Sequence, residues 1–115
     1  MTWEEYIDLQ KRVCQKAGSH FNPIDKKSMI GVSKDLNQFP LNGLRHPNHG
    51  NMCGWYIWSG EWSNKSDFFK PLCAEHLIEQ KPEIIQYLAL DIGFRFLSSQ
   101  DNYEDIWFDE NITIL

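Results

Sequence analysis

The sequence predicts an α+β fold with an N-terminal helix, an antiparallel sheet of about four strands, and one or two short helices on one face. A helical repeat of apolar residues opens the chain, and short aromatic-rich runs bounded by Gly, Pro or Asn follow it. With 115 residues the chain is close to the commonest domain size, so we expect a single domain over residues 1–115.

The first element is a helix predicted from Trp3 to Ala17. Thr2 and Glu5 form a capping-box pattern at its start, and Gly18 is a natural stop at its end. The residues at helical spacing are Trp3, Tyr6, Ile7, Gln10, Val13, Cys14 and Ala17. All of them except the polar Gln10 are expected to face the core.

Four strands are predicted, because these runs combine β-forming residues with turn residues at their ends. They cover Ser28 to Ser33, Gly54 to Gly60, Gly93 to Leu97, and Asp105 to Asp109. The last two are joined by polar turn residues, which favours an antiparallel hairpin. Residues 34–53 are rich in Asn, Pro, Gly and His and are expected to form a long, functional loop.

Two short helices are predicted between the second and third strands. Pro71 to Gln80 places Leu72, Cys73, His76 and Leu77 on one stripe. Pro82 suits the first position of another helix, which ends at Leu88 and has Ile84, Ile85 and Leu88 as its apolar face.

The hairpin sequence assigns its side chains to two faces. Strand alternation puts Phe94, Phe96, Ile106 and Phe108 together, and we expect them in the core. Trp107 then shares the other face with Asp105 and Asp109, and Arg95 is expected to pair with one of these aspartates across the hairpin.

A tryptophan flanked by carboxylates is typical of a partner-binding site, because Trp is enriched at binding hot spots and acids select a basic partner. Asp105, Trp107 and Asp109 form one such candidate, and Trp58, Glu61 and Trp62 form a second at a strand end. The alternative is that Trp107 packs under a helix on the second face of the sheet.

The charge distribution is uneven along the chain. Residues 1–60 hold seven basic and five acidic residues, whereas residues 61–115 hold four basic and eleven acidic ones. Such a surface argues against nucleic-acid or membrane binding and suits a basic protein partner. The alternative is that the acidic excess serves solubility alone.

The expected compartment is the cytoplasm. The start of the sequence lacks the basic region and apolar run of a signal peptide, and no stretch approaches a membrane span. Cys14, Cys53 and Cys73 are an odd number of cysteines, which is typical of reduced thiols.

A second class of function is a metal- or thiol-dependent enzyme that uses a set of His and Cys residues. The set comprises His46, His49, Cys53, Cys73 and His76. Its spacing is not a standard zinc pattern, and no recognisable nucleophile motif or phosphate loop is present. We therefore predict no metal site, no cofactor and no catalytic residue, and we expect Cys73 to pack in the core with His76 hydrogen-bonded at its edge.

Four segments taken in order carry a resemblance to a known family. They are GWYIWSGE (54–61), DFFKPLCAEHL (67–77), PEIIQYLALDIGFRFL (82–97) and YEDIWFDE (103–110). Their succession resembles small bacterial proteins with an immunity protein 33-like domain, which belong to polymorphic-toxin systems. The resemblance implies a protein that neutralises a cognate toxin by direct binding and carries no catalytic residues. A housekeeping interaction protein without a toxin partner is the other open possibility.

Overall fold

A computed structural model describes residues 1–112, so the last three residues of the predicted domain 1–115 lie outside the described residues. The strands are β1 (Met29–Ser33), β2 (Leu41–Arg45), β3 (Met52–Ser59), β4 (Phe69–Cys73), β5 (Phe94–Ser98) and β6 (Glu104–Phe108). The α-helices are α1 (Ile7–Ala17) and α2 (Leu77–Gln80). Short 3₁₀ helices span Trp3–Tyr6, Ala74–His76, Pro82–Tyr87 and Glu110–Ile112.

The six strands form one mixed sheet in the order β4-β1-β3-β2-β5-β6. The prediction of about four antiparallel strands was therefore wrong in number and in direction, because β1 and β3 are parallel and every other pair is antiparallel. The predicted class was confirmed: the fold is α+β, with an N-terminal helix and short helices beside the sheet.

Two of the strands were not predicted. β2 lies inside residues 34–53, which the sequence assigns to a loop, and it is held between β3 and β5. β4 occupies the start of the predicted helix Pro71–Gln80, where Pro71 pairs with Gly31 of β1 instead of opening a helix. The helical part of that segment begins at Ala74.

The N-terminal helix was confirmed, with a 3₁₀ first turn. The Thr2 amide donates to Glu5 Oε1 at 3.0 Å, and this hydrogen bond lowers the pKa of the Glu5 carboxyl. Gly18 adopts a left-handed conformation (φ 71°) that ends α1. Gln10 contradicts its prediction, because it is buried and its amide donates to the Ile85 carbonyl at 2.9 Å.

The helices lie on one face of the sheet. Their buried residues, including Trp3, Tyr6 and Leu77, share one core cluster with the sheet residues Ile30 and Trp55. Trp55 Nε1 donates to the Leu88 carbonyl at 3.0 Å, which fixes the Pro82–Tyr87 segment to the centre of the sheet. The predicted apolar face of that segment, Ile84, Ile85 and Leu88, is fully buried.

Glycines let aromatic rings lie directly against the sheet on each face. A Cβ on Gly43 would lie 2.1 Å from the Phe96 ring, on the helix-covered face. A Cβ on Gly31 would lie 2.7 Å from the Tyr56 ring, on the opposite face. Real Cβ atoms essentially never make contacts this short, so a larger residue at either position would force the facing ring to move, and glycine allows the close packing.

The predicted core of the hairpin was confirmed in part. Phe94 and Phe96 are buried, and Ile106 packs partly buried against the core. Phe108 is 54% exposed, so its predicted burial was wrong. It shares the face of Phe94, 5.5 Å away between ring centroids, but β6 is the outermost strand and no further strand of the described chain covers it.

Among residues 1–112, no helix has the length and apolar character that crossing a lipid bilayer requires.

Candidate interaction surface

The face of the sheet opposite the helices carries two rows of side chains that cross the sheet. Directly paired residues in an antiparallel sheet share a face, so the strand register gives these rows. One row runs through Tyr56, Leu44, Arg95 and Trp107, and the next runs through Trp58, Asn42, Leu97 and Asp105. Leu44 and Trp58 are buried, yet neither belongs to the core cluster on the helix side. We call this side the open face.

At one end of the open face, aromatic rings form a continuous patch. Trp58 contacts Trp62 with ring centroids 5.1 Å apart, and Trp62 in turn lies 5.5 Å from Phe69 and 5.7 Å from Phe68. Tyr56 joins the patch through Phe69 at 5.2 Å. The open-face patch is therefore built from β3, β4 and the loop between them.

Burial within this patch is graded. Trp58 is only 5% exposed because its neighbours cover it, whereas Trp62 is 56% exposed and presents its ring to solvent. Glu61 is exposed beside it and lines a cleft of about 480 Å³ together with Lys34, Asp35 and Phe68. A large exposed indole on a supported aromatic base is the arrangement expected of a binding anchor.

At the other end of the open face lies the predicted acidic cluster, Asp105, Trp107 and Asp109, and Arg95 contacts two of its three residues. Its guanidinium lies 5.3 Å from the Trp107 ring centroid, and its Nη1 donates to Asp109 Oδ2 at 3.2 Å. The predicted cross-hairpin pairing of Arg95 with an aspartate was thus confirmed, and the partner is Asp109. A hydrogen bond from the Asn111 amide, followed by the Arg95 contact, lowers the pKa of Asp109.

The three residues of the acidic cluster differ in how accessible they are to a partner. Asp109 and Trp107 are half-buried and already contact Arg95, whereas Asp105 is exposed. Asp105 is therefore the carboxylate of this cluster that a partner can reach without breaking an ion pair.

The two predicted clusters lie on the same face but do not touch. β2 and β5 separate β3 from β6, which puts the clusters about 14 Å apart at the usual strand spacing. Asn42 and Leu97 lie between Trp58 and Asp105 in one row. A single partner of ordinary interface size can cover both clusters at once.

The structure does not gather the predicted His and Cys set. Cys53 is buried in the core cluster and Cys73 lies on the edge strand β4, while His49 and His76 are exposed. His46 lies against the Tyr56 ring, 5.6 Å between centroids. Within residues 1–112, no group of three or more His, Cys, Asp or Glu side chains is arranged to hold a metal ion.

Burial also affects the thiols that a thiol enzyme would need. Burial raises the pKa of Cys14 and of Cys53, which disfavours the nucleophilic thiolate form. The Cys73 thiol donates to the Lys26 carbonyl at 3.5 Å. Cys73 is only half-buried, so its predicted packing in the core was wrong, and His76 is exposed at the surface and not on a buried stripe.

Sequence reasoning missed the contribution of β2 and β4 to this surface. Leu44 lies in the segment that was assigned to a loop, and Phe69 lies just before the predicted helix in residues to which no element was assigned, so their place on the open face was not foreseen. Tyr56 could have been found, because alternation from Trp58 along the predicted strand places both rings on one face.

One mixed sheet with helices on one face and an aromatic and acidic opposite face defines an α+β protein with a candidate protein-binding surface. The Imm33-like domain model matches residues 9–109, and the chain belongs to this family. Membership of an immunity-type family implies a protein partner. Comparisons with curated proteins and with solved structures gave no match.

Proposed function

We propose that this chain is an immunity-type protein that binds a cognate toxin directly and neutralises it in the cytoplasm without catalysis. The observation that carries the proposal is the open face, where the exposed Trp62 and the exposed Asp105 stand on one supported sheet surface. Family membership supplies the expectation of a protein partner. The proposed contact residues are Trp58, Glu61, Trp62, Asp105, Trp107 and Asp109.

The partner surface is proposed to be basic. The eleven acidic residues of the second half of the chain outnumber its four basic ones, and Glu61 and Asp105 are exposed at opposite ends of the open face. Complementary charge speeds association and selects among partners, whereas buried aromatic anchors slow dissociation. The two kinds of residue should therefore affect different rate constants.

The test starts from the toxin-like protein that co-purifies with this chain from its host, followed by binding kinetics at two salt concentrations. Asp105→Lys should slow association and weaken its salt dependence. Trp62→Ala should mainly speed dissociation, at a cost of about 2 kcal/mol or more if Trp62 is a central anchor. Toxin activity in the presence of each variant then links binding to neutralisation.

Glu79→Lys is the matched control, because it makes the same charge reversal on an exposed residue of α2, on the helix side of the molecule. It should leave both rate constants close to those of the unaltered chain. If Asp105→Lys and Trp62→Ala both bind the toxin normally and keep their circular dichroism spectra, the open face is not the binding surface.

A further inference from the structure

The two edges of the sheet differ in their capacity to accept another strand. β4 forms one edge, and its central residue Pro71 has no amide hydrogen to offer, while Lys70 beside it is exposed. Proline and lysine on an edge strand are features that prevent edge-to-edge pairing. β6 forms the other edge, and its residues Glu104–Phe108 include neither proline nor lysine.

The register of the hairpin shows which backbone groups of β6 point outward. The Asp109 amide donates to the Gly93 carbonyl at 2.8 Å, and the Ser99 amide donates to the Tyr103 carbonyl at 2.9 Å. The odd-numbered residues of β6 therefore direct their backbone groups toward β5, because these groups alternate sides along a strand. The amides and carbonyls of Glu104, Ile106 and Phe108 accordingly point away from the sheet.

The side chains of β6 are partly exposed to solvent on both faces of the sheet. On the helix side, Phe108 is 54% exposed and Ile106 is only partly buried. On the open face, Trp107 is half-buried and Asp105 is exposed. An added strand would cover the two apolar residues on one side and reach the carboxylate on the other.

Charge decides between the two possible occupants of the edge. β6 and the residue after it carry the acidic residues Glu104, Asp105 and Asp109; Glu104 forms an ion pair with Lys16, Asp109 forms one with Arg95, and Asp105 is exposed. Pairing β6 with the β6 of a second copy would bring two such acidic segments together, and close like charges are destabilising. A basic segment would instead find complementary charge.

We propose that the β6 edge accepts an extended segment of the protein partner as a seventh strand of the sheet. The segment alternates apolar residues, which cover Ile106 and Phe108, with lysine or arginine residues, which face Asp105 on the open face. This inference rests on the proposed function, since it states how the toxin is held. Strand addition gives affinity through backbone hydrogen bonds and specificity through alternate side chains.

Proline substitutions test the outward amides without touching those that hold β6 to β5. Phe108→Pro removes an outward amide, and Phe108→Ala is its matched control, since it removes the same side chain but keeps the amide. Ile106→Pro and Ile106→Ala form a second pair at the centre of the strand. Within each pair the proline variant should bind the co-purified toxin about tenfold more weakly than the alanine variant, because it lacks one intermolecular hydrogen bond.

A synthetic eight-residue peptide of alternating valine and lysine provides a probe that does not depend on the toxin. We expect it to slow hydrogen exchange at the amides of Glu104, Ile106 and Phe108, and we expect a valine–glutamate peptide to have no such effect. In the Phe108→Pro chain the protection at the remaining two amides should weaken.

The outcomes separate this inference from the proposed function. If the toxin binds and the proline and alanine variants of both pairs bind equally, the added strand is wrong while the immunity role stands. If no toxin binds but the valine–lysine peptide protects the three amides, the immunity role is wrong while the edge site stands. If the valine–lysine peptide does not protect the three amides, and if the proline and alanine variants also bind the toxin equally, the inference is overturned. Sedimentation could also show that the chain forms a dimer. If Phe108→Pro abolishes that dimer and Phe108→Ala keeps it, the occupant of the edge is a second copy of the chain, and the inference is overturned.

Discussion

Arg45 is a charged side chain in the interior, 2% exposed, and it is held by carbonyl groups. Its Nη1 donates to the carbonyls of Asn22 and Leu90 at 2.7 Å each, and its Nε donates to the Cys53 carbonyl at 3.4 Å. Burial lowers the pKa of Arg45, but a guanidinium remains charged in proteins. One side chain thus ties the segment after α1 and the segment before β5 to the sheet.

Replacing Arg45 should destabilise the fold strongly. Arg45→Met keeps much of the side-chain volume but leaves two buried carbonyls and one partly buried carbonyl without this donor, so we expect a loss of about 2–4 kcal/mol in the free energy of unfolding. Arg45→Lys should fall between Arg45→Met and the unaltered chain, because one ammonium cannot reproduce the planar fork of donors. The measurement is urea denaturation followed by tryptophan fluorescence.

The exposed Arg12 of α1 provides the control. Arg12→Met should change the free energy of unfolding by no more than about 0.5 kcal/mol. A loss below about 1 kcal/mol for Arg45→Met would mean that water or a rearranged backbone satisfies these carbonyls, and Arg45 would then not be the residue that ties the two segments to the sheet.

At the scale of elements, the β5–β6 hairpin shows that strand alternation can predict the face on which a side chain lies without predicting whether that side chain is buried. Phe96 is 1% exposed, stacks on Tyr87 with ring centroids 4.3 Å apart, and lies over Gly43. Phe108 points to the same side of the sheet but lies on the outermost strand. The two phenylalanines therefore allow the same substitution to be compared in two degrees of burial.

Phe96→Ala should cost about 3–5 kcal/mol in the free energy of unfolding, since it leaves a cavity between Tyr87 and the sheet. Phe108→Ala should cost less than about 1 kcal/mol, because most of that ring already contacts water. Chemical denaturation of both variants measures the difference. Equal losses would show that β5 and β6 do not pair in the register that places Phe96 inside and Phe108 at the edge.

Most elements could be predicted from local sequence because they carry their own signals. The N-terminal helix has a capping box, an apolar repeat and a terminal glycine, and β3 is a run of aromatic and β-branched residues. The hairpin was predicted to within about one residue because strand alternation and turn residues agree there. Local agreement of this kind makes a segment's structure largely independent of its neighbours.

The two missed strands depend on their neighbours instead. β2 has the sequence LNGLR, in which Asn and Gly are residues that seldom predict a strand. Its glycine, Gly43, leaves the space in which the Phe96 ring packs. β4 contains Pro71, whose position suggested a helix start, and a proline is tolerated in a strand only because β4 is an edge. The parallel pairing of β1 with β3 has no local signal at all, since it depends on which strands meet.

For the interaction surface, alternation correctly placed Trp107 beside Asp105 and Asp109 and opposite Phe94 and Phe96. It could not show that Asp109 is already paired with Arg95. Asp109→Lys would put a second cation against Arg95 and disturb the hairpin itself, whereas Asp105→Lys changes an exposed carboxylate. Which acids are available to a partner is therefore a property of the packed structure.

On the scale of the whole molecule, ionised carboxylates link distant parts of the chain. Glu104 Oε2 accepts a hydrogen bond from the Tyr87 hydroxyl at 2.6 Å, and Glu104 Oε1 pairs with Lys16 of α1. Burial alone would raise the pKa of Glu104, but the contacts with Lys16 and Tyr87 outweigh burial and lower it. Hydrogen bonding to Lys27 likewise lowers the pKa of Glu75.

These pKa shifts predict that the protein loses stability in acid. A carboxylate whose pKa is lower in the folded than in the unfolded chain adds stability above its unfolded pKa, about 4.3 for Glu, and this stability is lost as the pH falls through the folded pKa. Glu5, Glu75, Glu104 and Asp109 all have lowered pKa values. The free energy of unfolding should therefore begin to fall as the pH drops below the unfolded pKa of these groups, about 4, and should keep falling until the pH lies below their lowered folded pKa values.

Glu104→Gln isolates the part of this acid sensitivity that holds β6 to α1 and to Tyr87. Glutamine keeps an acceptor for the Tyr87 hydroxyl but does not titrate, so the variant should be less stable than the unaltered chain at pH 7 and should lose less stability on acidification. The two stabilities should converge once the pH lies below the lowered folded pKa of Glu104, where its carboxyl is protonated. Urea denaturation at pH 7, 5, 4 and 3 measures both curves. Parallel curves for the two proteins would mean that Glu104 does not contribute to the acid transition, and the linkage of β6 to the helix layer would then rest on packing of Ile106 against the core.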